Sequence, residues 1–326
     1  MITGITMHEF YRRQVKLIGE EAQLRLSSAT VLIIGAGGLG HPIASYLTGA
    51  GVGTIHIADF DRVEESNLHR QTLFKHADCG KNKALALTEV LTQQNPHLTI
   101  FPHPFAFNSD TAGELLQGID LVIDATDNFT AKFLIHEKCH ERKIPLLQGS
   151  ISSWQGHLHF FDFQDDSACL ECLYPLPPHE GCVSHCAEAG ILGSTAGVFG
   201  TLMANEALKF FVGLEHLSSG VSLLFNLETL EIQKIKFRKN SACSLCHLEN
   251  VRPQSPWEVS SASAIPDALI VDLRTEENFI PQAMQSYLLV CQRGVKSLER
   301  VKVLRSRGFE KVWSLRGGIS SLSHGG

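Results

Sequence analysis

Four cysteines stand in two C-x-x-C pairs with the spacing of a metal site. Cys169-Leu-Glu-Cys172 and Cys243-Ser-Leu-Cys246 each offer two thiolates from one tight turn. Two such pairs complete a tetrahedral shell of four sulfurs with no open position. The spacing therefore predicts a structural Zn²⁺ that ties two distant segments of the chain together. The alternative is a redox-active pair, or four thiols that bind no metal.

A glycine-rich segment follows the first apolar strand. Gly35, Gly37 and Gly40 match G-x-G-x-x-G, after a predicted strand and before a predicted helix. Glycines there let the backbone approach phosphate groups, and the N-terminus of the helix favours negative charge. Asp59 ends the next strand, where a carboxylate binds a ribose hydroxyl. These features alone leave a nicotinamide cofactor and another adenosine ligand equally open.

Three charged residues further along the chain favour a triphosphate as that ligand. A triphosphate requires cations and a metal ligand beyond what the pyrophosphate of a dinucleotide requires. Arg70 and Lys83 supply the cations, and Asp127, just after a strand, supplies a ligand for Mg²⁺. A Walker-A sequence is absent from the chain, which excludes a P-loop ATPase. The sequence therefore favours ATP over NAD.

The elements that must position these residues alternate between strands and helices. Helical spacing covers 8–29 and 83–94. The predicted strands cover 31–34, 54–58, 98–101, 119–123 and 144–147. This alternation is typical of a parallel, doubly wound α/β sheet.

The pattern changes after residue 150. Residues 157–163 alternate like an antiparallel strand, 164–195 form a long ordered loop, 196–212 a buried helix and 223–236 a hairpin. The Pro- and Ser-rich segment 251–266 is predicted to be a linker. We therefore predict a main domain over 1–250 and a small α/β tail over 267–326.

Composition excludes several classes of function. The chain has 326 residues, 44% of them hydrophobic, and a net charge of −6. The chain has no long Lys/Arg run, which argues against a nucleic-acid-binding protein. It has no stretch of 18 uncharged apolar residues, so we expect no membrane span, and we expect no secretory signal. Nine cysteines without an export signal indicate a cytoplasmic protein with thiols and metal ligands. Cys79 and Cys139 lie in helical stretches and are predicted to be packing residues.

The combined pattern resembles the ubiquitin-activating-enzyme-like superfamily, and within it the bacterial MoeB, ThiF and HesA proteins. The resemblance covers residues 8–247. It is carried by Tyr11-Arg-Arg13-Gln14, Gly35-Ala-Gly-Gly-Leu-Gly40, Gly51-Val-Gly53, Asp59-Phe-Asp61, Ser66-Asn-Leu-His-Arg-Gln71, Lys83, Thr126-Asp-Asn128, the cysteine pairs and Cys186-Ala-Glu-Ala-Gly190.

The resemblance implies a Rossmann-like doubly wound, mostly parallel sheet with an antiparallel extension and a structural zinc site. It also implies that ATP reacts with the C-terminal Gly-Gly carboxylate of a ubiquitin-like sulfur-carrier protein, MoaD-like or ThiS-like, for molybdopterin or thiamine synthesis. The products would be an acyl-adenylate and pyrophosphate. The implied cofactors are ATP, Mg²⁺ and Zn²⁺. The implied partners are a second copy of the chain, the carrier, and a sulfurtransferase or cysteine desulfurase.

Roles follow residue by residue from the same resemblance. Arg70 and Lys83 would grip the phosphates together with Asn67, and Asp127 would bind Mg²⁺. Arg13 would reach into the site of the partner subunit as an arginine finger, and Cys186 would attack the acyl-adenylate or a persulfide. The expected nucleotide-binding residues are Gly35, Gly37, Gly38, Gly40, Asp59, Asp61, Ser66, Asn67, Leu68, His69, Arg70, Gln71, Lys83, Asp127 and Asn128.

Residues near Cys186 and in the tail carry further expectations. His185 would lower the pKa of the Cys186 thiol, whereas Cys182 is expected to be incidental. The tail resembles a rhodanese domain, with Cys291-Gln-Arg-Gly-Val-Lys-Ser297 as its active loop. The tail is short, and Phe279 replaces the usual histidine of that domain. We therefore expect a degenerate remnant docked on the main domain, with a working sulfurtransferase as the alternative.

Three alternatives to the main hypothesis stay open at this stage. The first is a related adenylator of another acyl substrate, such as a peptide C-terminus or a tRNA-linked carboxylate. The second is an NAD-dependent dehydrogenase, and the third is a carrier-binding scaffold without turnover. No motif in this sequence identifies which carrier is used or which pathway it serves.

Overall fold

The computed structural model of the chain describes residues 9–164, 167–175, 190–241, 243, 245–246, 255–273, 275–276, 279–282, 284–291, 295–316 and 318–319. The chain forms two compact units, Met1–Leu248 and Glu249–Gly326. Each unit has its own sheet and its own apolar core. Among the described residues, no helix combines the length and the apolar character that a membrane crossing requires.

The first unit is built on an eight-stranded sheet in the order β3-β2-β1-β4-β5-β6-β7-β8. The first five of these strands pair in parallel, and the last four pair antiparallel from β5 onward. This confirms the predicted α/β class, a mostly parallel sheet with an antiparallel extension. The strands are β1 (Thr30–Ile34), β2 (Thr54–Ala58), β3 (Thr99–His103), β4 (Leu121–Asp124), β5 (Leu146–Ser152), β6 (Gln155–Phe161), β7 (Val221–Asn226) and β8 (Glu231–Lys236).

Helices cover both faces of this sheet. The predicted helix over 83–94 has those bounds, and the one over 196–212 begins three residues earlier. Gly19, at φ +84°, interrupts the predicted helical stretch over 8–29 and separates its two helices. The helices are α1 (Arg12–Ile18), α2 (Glu20–Ser28), α3 (Gly40–Ala50), α4 (Lys83–Gln94), α5 (Ala112–Leu115), α6 (Phe129–Arg142), α7 (Leu170–Leu173) and α8 (Gly193–Val212).

The apolar strand runs are explained by burial on both faces. In β1, Val31 and Ile33 join the cluster under α3, α4 and α8, whereas Leu32 and Ile34 join the cluster under α6. Strand order reverses at β1, because β2 and β3 lie on one side of it and β4 and β5 on the other. The carboxyl ends of β1 and β4 therefore border the crevice in which such sheets bind ligands.

The two cysteines that were predicted to pack in helices differ. Cys139 lies in α6 and is fully buried, which confirms its prediction. Cys79 is exposed at the end of the 3-10 turn His76–Asp78, so its prediction is wrong. The apparent helical stretch around it is a surface turn, which a period of 3.6 cannot distinguish over so few residues.

The second unit holds a four-stranded parallel sheet in the order β10-β11-β12-β9. The predicted linker over 251–266 contains β9, which pairs with β12. A strand of two residues is too short for alternation to reveal it in the sequence. The elements are β9 (Glu258–Val259), β10 (Leu269–Asp272), β11 (Tyr287–Val290), α9 (Val295–Ser306) and β12 (Val312–Leu315).

Candidate active site

The glycine-rich loop connects β1 to α3 and packs against the end of β4. Gly35 has φ +101°, and a Cβ there would lie 2.9 Å from the carbonyl oxygen of Ala125. A Cβ on Gly40 would lie 2.1 Å from the carbonyl oxygen of Gly35. Only glycine is compatible with these two positions. The loop leaves backbone N–H groups at the start of α3, where anions bind.

Two side chains of the segment 66–71 lie over the same loop. A Cβ on Gly38 would lie 3.5 Å from Cγ of Arg70, and one on Gly37 would lie 3.8 Å from Nε2 of Gln71. The Arg70 guanidinium donates to the carbonyl of Ser66 at 3.0 Å. The structure therefore brings the glycine loop and Arg70 together.

The neighbouring residues of this segment have structural contacts of their own. Asn67 is buried, and its Oδ1 accepts the backbone N–H of Glu64 at 3.3 Å, which forms a capping box around the turn Glu65–Asn67. Leu68 is partly buried against the apolar core, and His69 is exposed, with Nε2 3.0 Å from the Arg70 guanidinium. None of these contacts points to a phosphate by itself.

Asp59 links the end of β2 to the glycine loop. Its Oδ2 accepts the backbone N–H of Ala36 at 2.7 Å, and its Oδ1 accepts that of Asp61 at 2.8 Å. Burial raises the pKa of the Asp59 carboxyl above its ordinary value, although these two hydrogen bonds oppose the shift. A carboxylate held beside the loop in this way has the position of a ribose-binding group.

Lys83 is held at the same end of the sheet by an ion pair. Its Nζ lies 2.9 Å from Oδ2 of Asp61, and the lysine is buried at the first position of α4. Asn82, which the sequence analysis missed, caps α4 and donates from Nδ2 to the carbonyls of Asp59 and Asp61 at 2.9 and 3.1 Å. An Asn before a helical run is the signal that could have identified it.

Asp127 follows β4 and precedes α6. Its side chain is exposed, whereas Asn128 caps α6 by accepting the backbone N–H of Ala131 at 2.8 Å. Within the described residues, the one set of three or more candidate metal ligands is the cysteine cluster. Because Mg²⁺ is usually held by one or two carboxylates together with substrate phosphates, a single carboxylate beside a phosphate-binding loop fits that ion.

A buried polar triad behind Asp127 was also missed from the sequence. Asp124, Lys132 and Gln148 are all buried, and the Asp124 carboxylate lies 2.8 Å from Gln148 Nε2 and 3.4 Å from Lys132 Nζ. Lys132 was missed because a lysine on a helix is usually a solvated surface charge.

His41, in the first turn of α3, is a further buried polar group beside the loop. Its Nδ1 accepts the backbone N–H of Leu73 at 3.1 Å, and its ring contacts Phe74. Burial, with a smaller contribution from Lys83, lowers the pKa of His41 to about 3. Burial also lowers the pKa of His159 in β6 to about 3, helped by His157 and Lys132. Both rings are therefore neutral near pH 7.

These two histidines predict an acid-sensitive fold. In the unfolded chain they take up protons below about pH 6.5, whereas in the folded chain they do so only near pH 3. Stability is therefore complete above pH 7 and falls as the pH drops through this window, by about 2 kcal/mol per histidine at pH 5. Urea unfolding at pH 7 and pH 5 measures the loss. His41→Asn and His159→Gln should each reduce it by that amount, and an unchanged pH dependence in both variants would contradict the prediction.

Arg13 lies far from the glycine loop of its own chain. It is exposed on α1, and its neighbour Gln14 donates to the carbonyl of Ala50 at 2.8 Å. Ala50 ends α3, whereas the loop lies at the other end of this 11-residue helix, about 16 Å away. The Tyr11 ring packs on Gly51 and fixes α1 at this end. The structure thus does not bring Arg13 to the nucleotide site within one chain.

The two predicted cysteine pairs come together. The Sγ atoms of Cys169 and Cys243 are 3.4 Å apart, those of Cys172 and Cys246 3.6 Å, and all four lie within 4.8 Å of one another. Tetrahedral Zn–S bonds of 2.3 Å place sulfurs about 3.8 Å apart. The backbone N–H of Asn240 donates to Cys172 Sγ at 3.3 Å, as is usual around metal thiolates. This cluster can hold zinc.

The other cysteines with predicted roles are Cys182, Cys186 and Cys291. Cys182, His185 and Cys186 lie outside the described residues. Cys291 follows β11 and is buried, and its Sγ accepts the backbone N–H of Ser297 at 3.3 Å. Residues 292–294 of the predicted active loop also lie outside the described residues.

Known proteins resemble this chain in sequence and in fold. The ThiF family model matches residues 11–245. The sulfur carrier protein adenylyltransferase of Thermus thermophilus is 39% identical over 242 residues, which cover 72% of this chain and 89% of that protein. The adenylyltransferase and sulfurtransferase MOCS3 of Drosophila virilis is 37% identical over 239 residues, which cover 72% of this chain and 53% of that protein.

The chain therefore spans about half the length of the MOCS3 relatives that it matches. Among solved structures, E. coli MccB with ATP has a TM-score of 0.64 at 21% identity, covering 73% of this chain and 74% of that chain. At this identity the likeness shows a shared fold. The family match and the Thermus relative go further, because together they show that the chain belongs to the ThiF family.

Proposed function

We propose that this chain is a cytoplasmic adenylyltransferase that uses ATP to activate the C-terminal Gly-Gly carboxylate of a ubiquitin-like sulfur-carrier protein. The observation that carries the proposal is the convergence of the glycine loop, Arg70, Lys83 and the Asp127 segment at one end of the sheet. The carrier is supported by the name of the Thermus relative, a sulfur carrier protein adenylyltransferase. Four free thiolates for zinc are consistent with a reducing compartment.

In this proposal the chain's groups bind and orient ATP. Asp59 receives a ribose hydroxyl, and the backbone N–H groups of the glycine loop receive phosphate oxygens. Asp127 would hold Mg²⁺, which neutralises charge on the triphosphate when it is bound. Lys83 is kept beside the loop by Asp61, so its ammonium is available to the phosphates without a large rearrangement of its side chain.

The reaction is a displacement at the α-phosphorus. A carboxylate oxygen of the carrier forms a bond to that phosphorus, while the bond to the oxygen bridging the α- and β-phosphates breaks and pyrophosphate leaves. Negative charge accumulates on the phosphoryl oxygens during this step. Arg70 and Lys83 stabilise it because they are already positioned, which is the main way in which such sites lower a barrier.

Arg13 supports a homodimer as part of this proposal. Because α1 is fixed at the far end of α3, Arg13 cannot act on the loop of its own chain, and a second copy would have to present it. Cys186 as an acceptor thiol, and a sulfurtransferase or cysteine desulfurase as a further partner, stay predictions from the sequence.

Mixing two inactive variants tests the shared site. Arg13→Ala should lower activity about 10²-fold, and Asp127→Ala should abolish it. A mixture of the two variants that has exchanged subunits should recover up to about a quarter of wild-type activity. Half of its dimers then contain one variant of each kind, and each of these dimers has one intact site out of two. Arg12→Ala is the matched control, since Arg12 is exposed on the same helix and pairs with Glu9. A mixture that stays inactive after proven subunit exchange would exclude an arginine in trans.

ATP–pyrophosphate exchange tests the proposed function. The purified protein with Mg²⁺ is assayed with a MoaD-like carrier, with a ThiS-like carrier, and without any carrier. We expect exchange that depends on one carrier, which also identifies the pathway. Exchange with a peptide that ends in a free carboxylate, but with neither carrier, would favour a different acyl substrate. Binding of reduced NAD without ATP would favour a dehydrogenase. No exchange from a zinc-loaded dimer that binds ATP would favour a scaffold.

A further inference from the structure

The triad of Asp124, Lys132 and Gln148 joins three elements directly behind the loop that carries Asp127. Asp124 ends β4, Lys132 lies in the second turn of α6, and Gln148 lies in β5. Besides its contact with Asp124, Lys132 Nζ donates to the carbonyl of Gly149 at 2.6 Å. Gln148 Nε2 lies 3.3 Å from the carbonyl of Lys132. One buried point therefore fixes β4, α6 and β5 relative to one another.

The second oxygen of Asp124 shapes the loop itself. Oδ1 accepts both the backbone N–H of Thr126, at 2.8 Å, and its hydroxyl, at 2.6 Å. On the other side of the loop, Asn128 is fixed as the cap of α6. Asp127 lies between these two anchored neighbours. The backbone of Ala125, which packs on Gly35, restricts the loop further.

An ion pair is a costly way to join these elements. The side chains of Lys132 and Asp124 are 6% and 0% exposed. Removing two charges from water offsets most of their attraction, so apolar side chains of similar size would stabilise the junction at least as well. Apolar side chains cannot, however, accept the two hydrogen bonds from Thr126. A role in loop geometry accounts for the polar triad, whereas a role in stability alone does not.

We propose that Asp124 is a positioning residue, which acts through Thr126 to hold the Asp127 carboxylate in place for the metal ion bound with the nucleotide. Partners behind a metal ligand commonly change metal affinity 10- to 100-fold when they are removed. The metal and nucleotide in this statement rest on the proposed function. The hydrogen bonds that do the positioning are those of the chain itself.

Thr126 offers a cleaner test than Asp124. Asp124→Asn would leave Lys132 charged and unpaired inside the protein, so that variant can fail to fold. Thr126→Val keeps the shape of the side chain and removes only the hydroxyl that donates to Asp124. Thr126→Ser keeps the hydroxyl and is the matched control. Zinc content should be the same in both variants and in the wild type. Thr126→Val loses one hydrogen bond to the buried Asp124 carboxylate, so its melting temperature should fall, but the variant should stay folded at the temperature of the assay.

The measurement is the affinity of the protein for Mn²⁺, which replaces Mg²⁺, in the presence of α,β-methylene ATP. Binding is detected as a loss of the electron paramagnetic resonance signal of free Mn²⁺. We expect Thr126→Val to bind Mn²⁺ about tenfold more weakly, and Thr126→Ser to bind within about twofold of the wild type. Asp127→Ala lacks the expected metal ligand itself and should therefore have the lowest affinity for Mn²⁺.

The outcomes separate this inference from the proposed function. Weaker Mn²⁺ binding in Thr126→Val, together with wild-type binding in Thr126→Ser, supports the inference. If no carrier gives exchange in that case, only the proposed function fails. Wild-type affinity in Thr126→Val overturns the inference even if exchange is normal. Equal weakening in the Val and Ser variants also overturns it, because the hydroxyl would then not be the group that matters. Failure of the wild type to bind Mn²⁺ with the nucleotide would overturn both.

Discussion

Asp127→Ala is expected to lower carrier-dependent ATP–pyrophosphate exchange about 10³-fold or more. The variant loses the carboxylate that would hold Mg²⁺ on the triphosphate, and removing a single group that stabilises transition-state charge commonly lowers kcat 10²- to 10³-fold. The fold should be unaffected, because the Asp127 side chain is exposed. The hydrogen bonds that fix its neighbours are made by Asp124, which accepts from Thr126, and by Asn128, which caps α6. Exchange rates and melting temperature, measured on the same preparation, check both halves of this expectation.

Two variants serve as controls for Asp127. Asp127→Asn keeps the size of the side chain and removes its charge, so it should be nearly as inactive. Glu228→Ala removes an exposed carboxylate from the turn between β7 and β8 and should be fully active. Loss of folded protein in Asp127→Ala would point to a structural role instead, and normal exchange in a folded variant would remove Asp127 from the site.

The second large effect is expected at the cysteine cluster. Cys243→Ser should reduce bound zinc from one ion per chain to nearly none, because a closed site with three thiolates loses most of its affinity. Loss of the ion should remove about 5 kcal/mol or more of folding free energy, which lowers the melting temperature by about 10–20 °C in a unit of this size. Metal analysis by mass spectrometry and calorimetry measure the two quantities.

Cys79→Ser is the matched control for the zinc prediction. Cys79 is exposed and lies outside the cluster, so its replacement should change neither zinc content nor melting temperature. A wild-type protein that contains no zinc after purification without chelators, or a Cys243→Ser variant that melts with the wild type, would contradict a structural zinc ion. A chelator should destabilise the wild type to the level of Cys243→Ser.

The apolar runs in the sequence were sufficient for the central strands of the first sheet, because β1 and β4 are buried along almost their whole length. The strand β2 and the helix α4 have the predicted bounds, Thr54–Ala58 and Lys83–Gln94. The zinc cluster was equally accessible, since two C-x-x-C pairs specify their own geometry. These features depend on local spacing, which a single sequence displays directly.

The buried triad depends instead on the fold. Nothing in the sequence indicates that Lys132 faces inward, because a lysine on a helix is usually solvated. The two groups that its Nζ contacts, the Asp124 carboxylate and the carbonyl of Gly149, lie on β4 and β5. Leu68 is a different case. Its place in a family segment suggests contact with the nucleotide, whereas the structure packs it against the apolar core. Spacing identifies segments, but which side of a turn a residue faces is decided by packing.

The central claim is that a carrier's terminal carboxylate becomes an acyl-adenylate. The most direct test is intact-mass spectrometry of a Gly-Gly carrier incubated with this protein, ATP and Mg²⁺, beside the same carrier with a C-terminal amide. The account predicts a carrier with added AMP, which hydroxylamine converts to a hydroxamate, and no change in the amidated carrier. Added AMP on the amidated carrier, or an unmodified Gly-Gly carrier while ATP and Mg²⁺ are demonstrably bound, would contradict it.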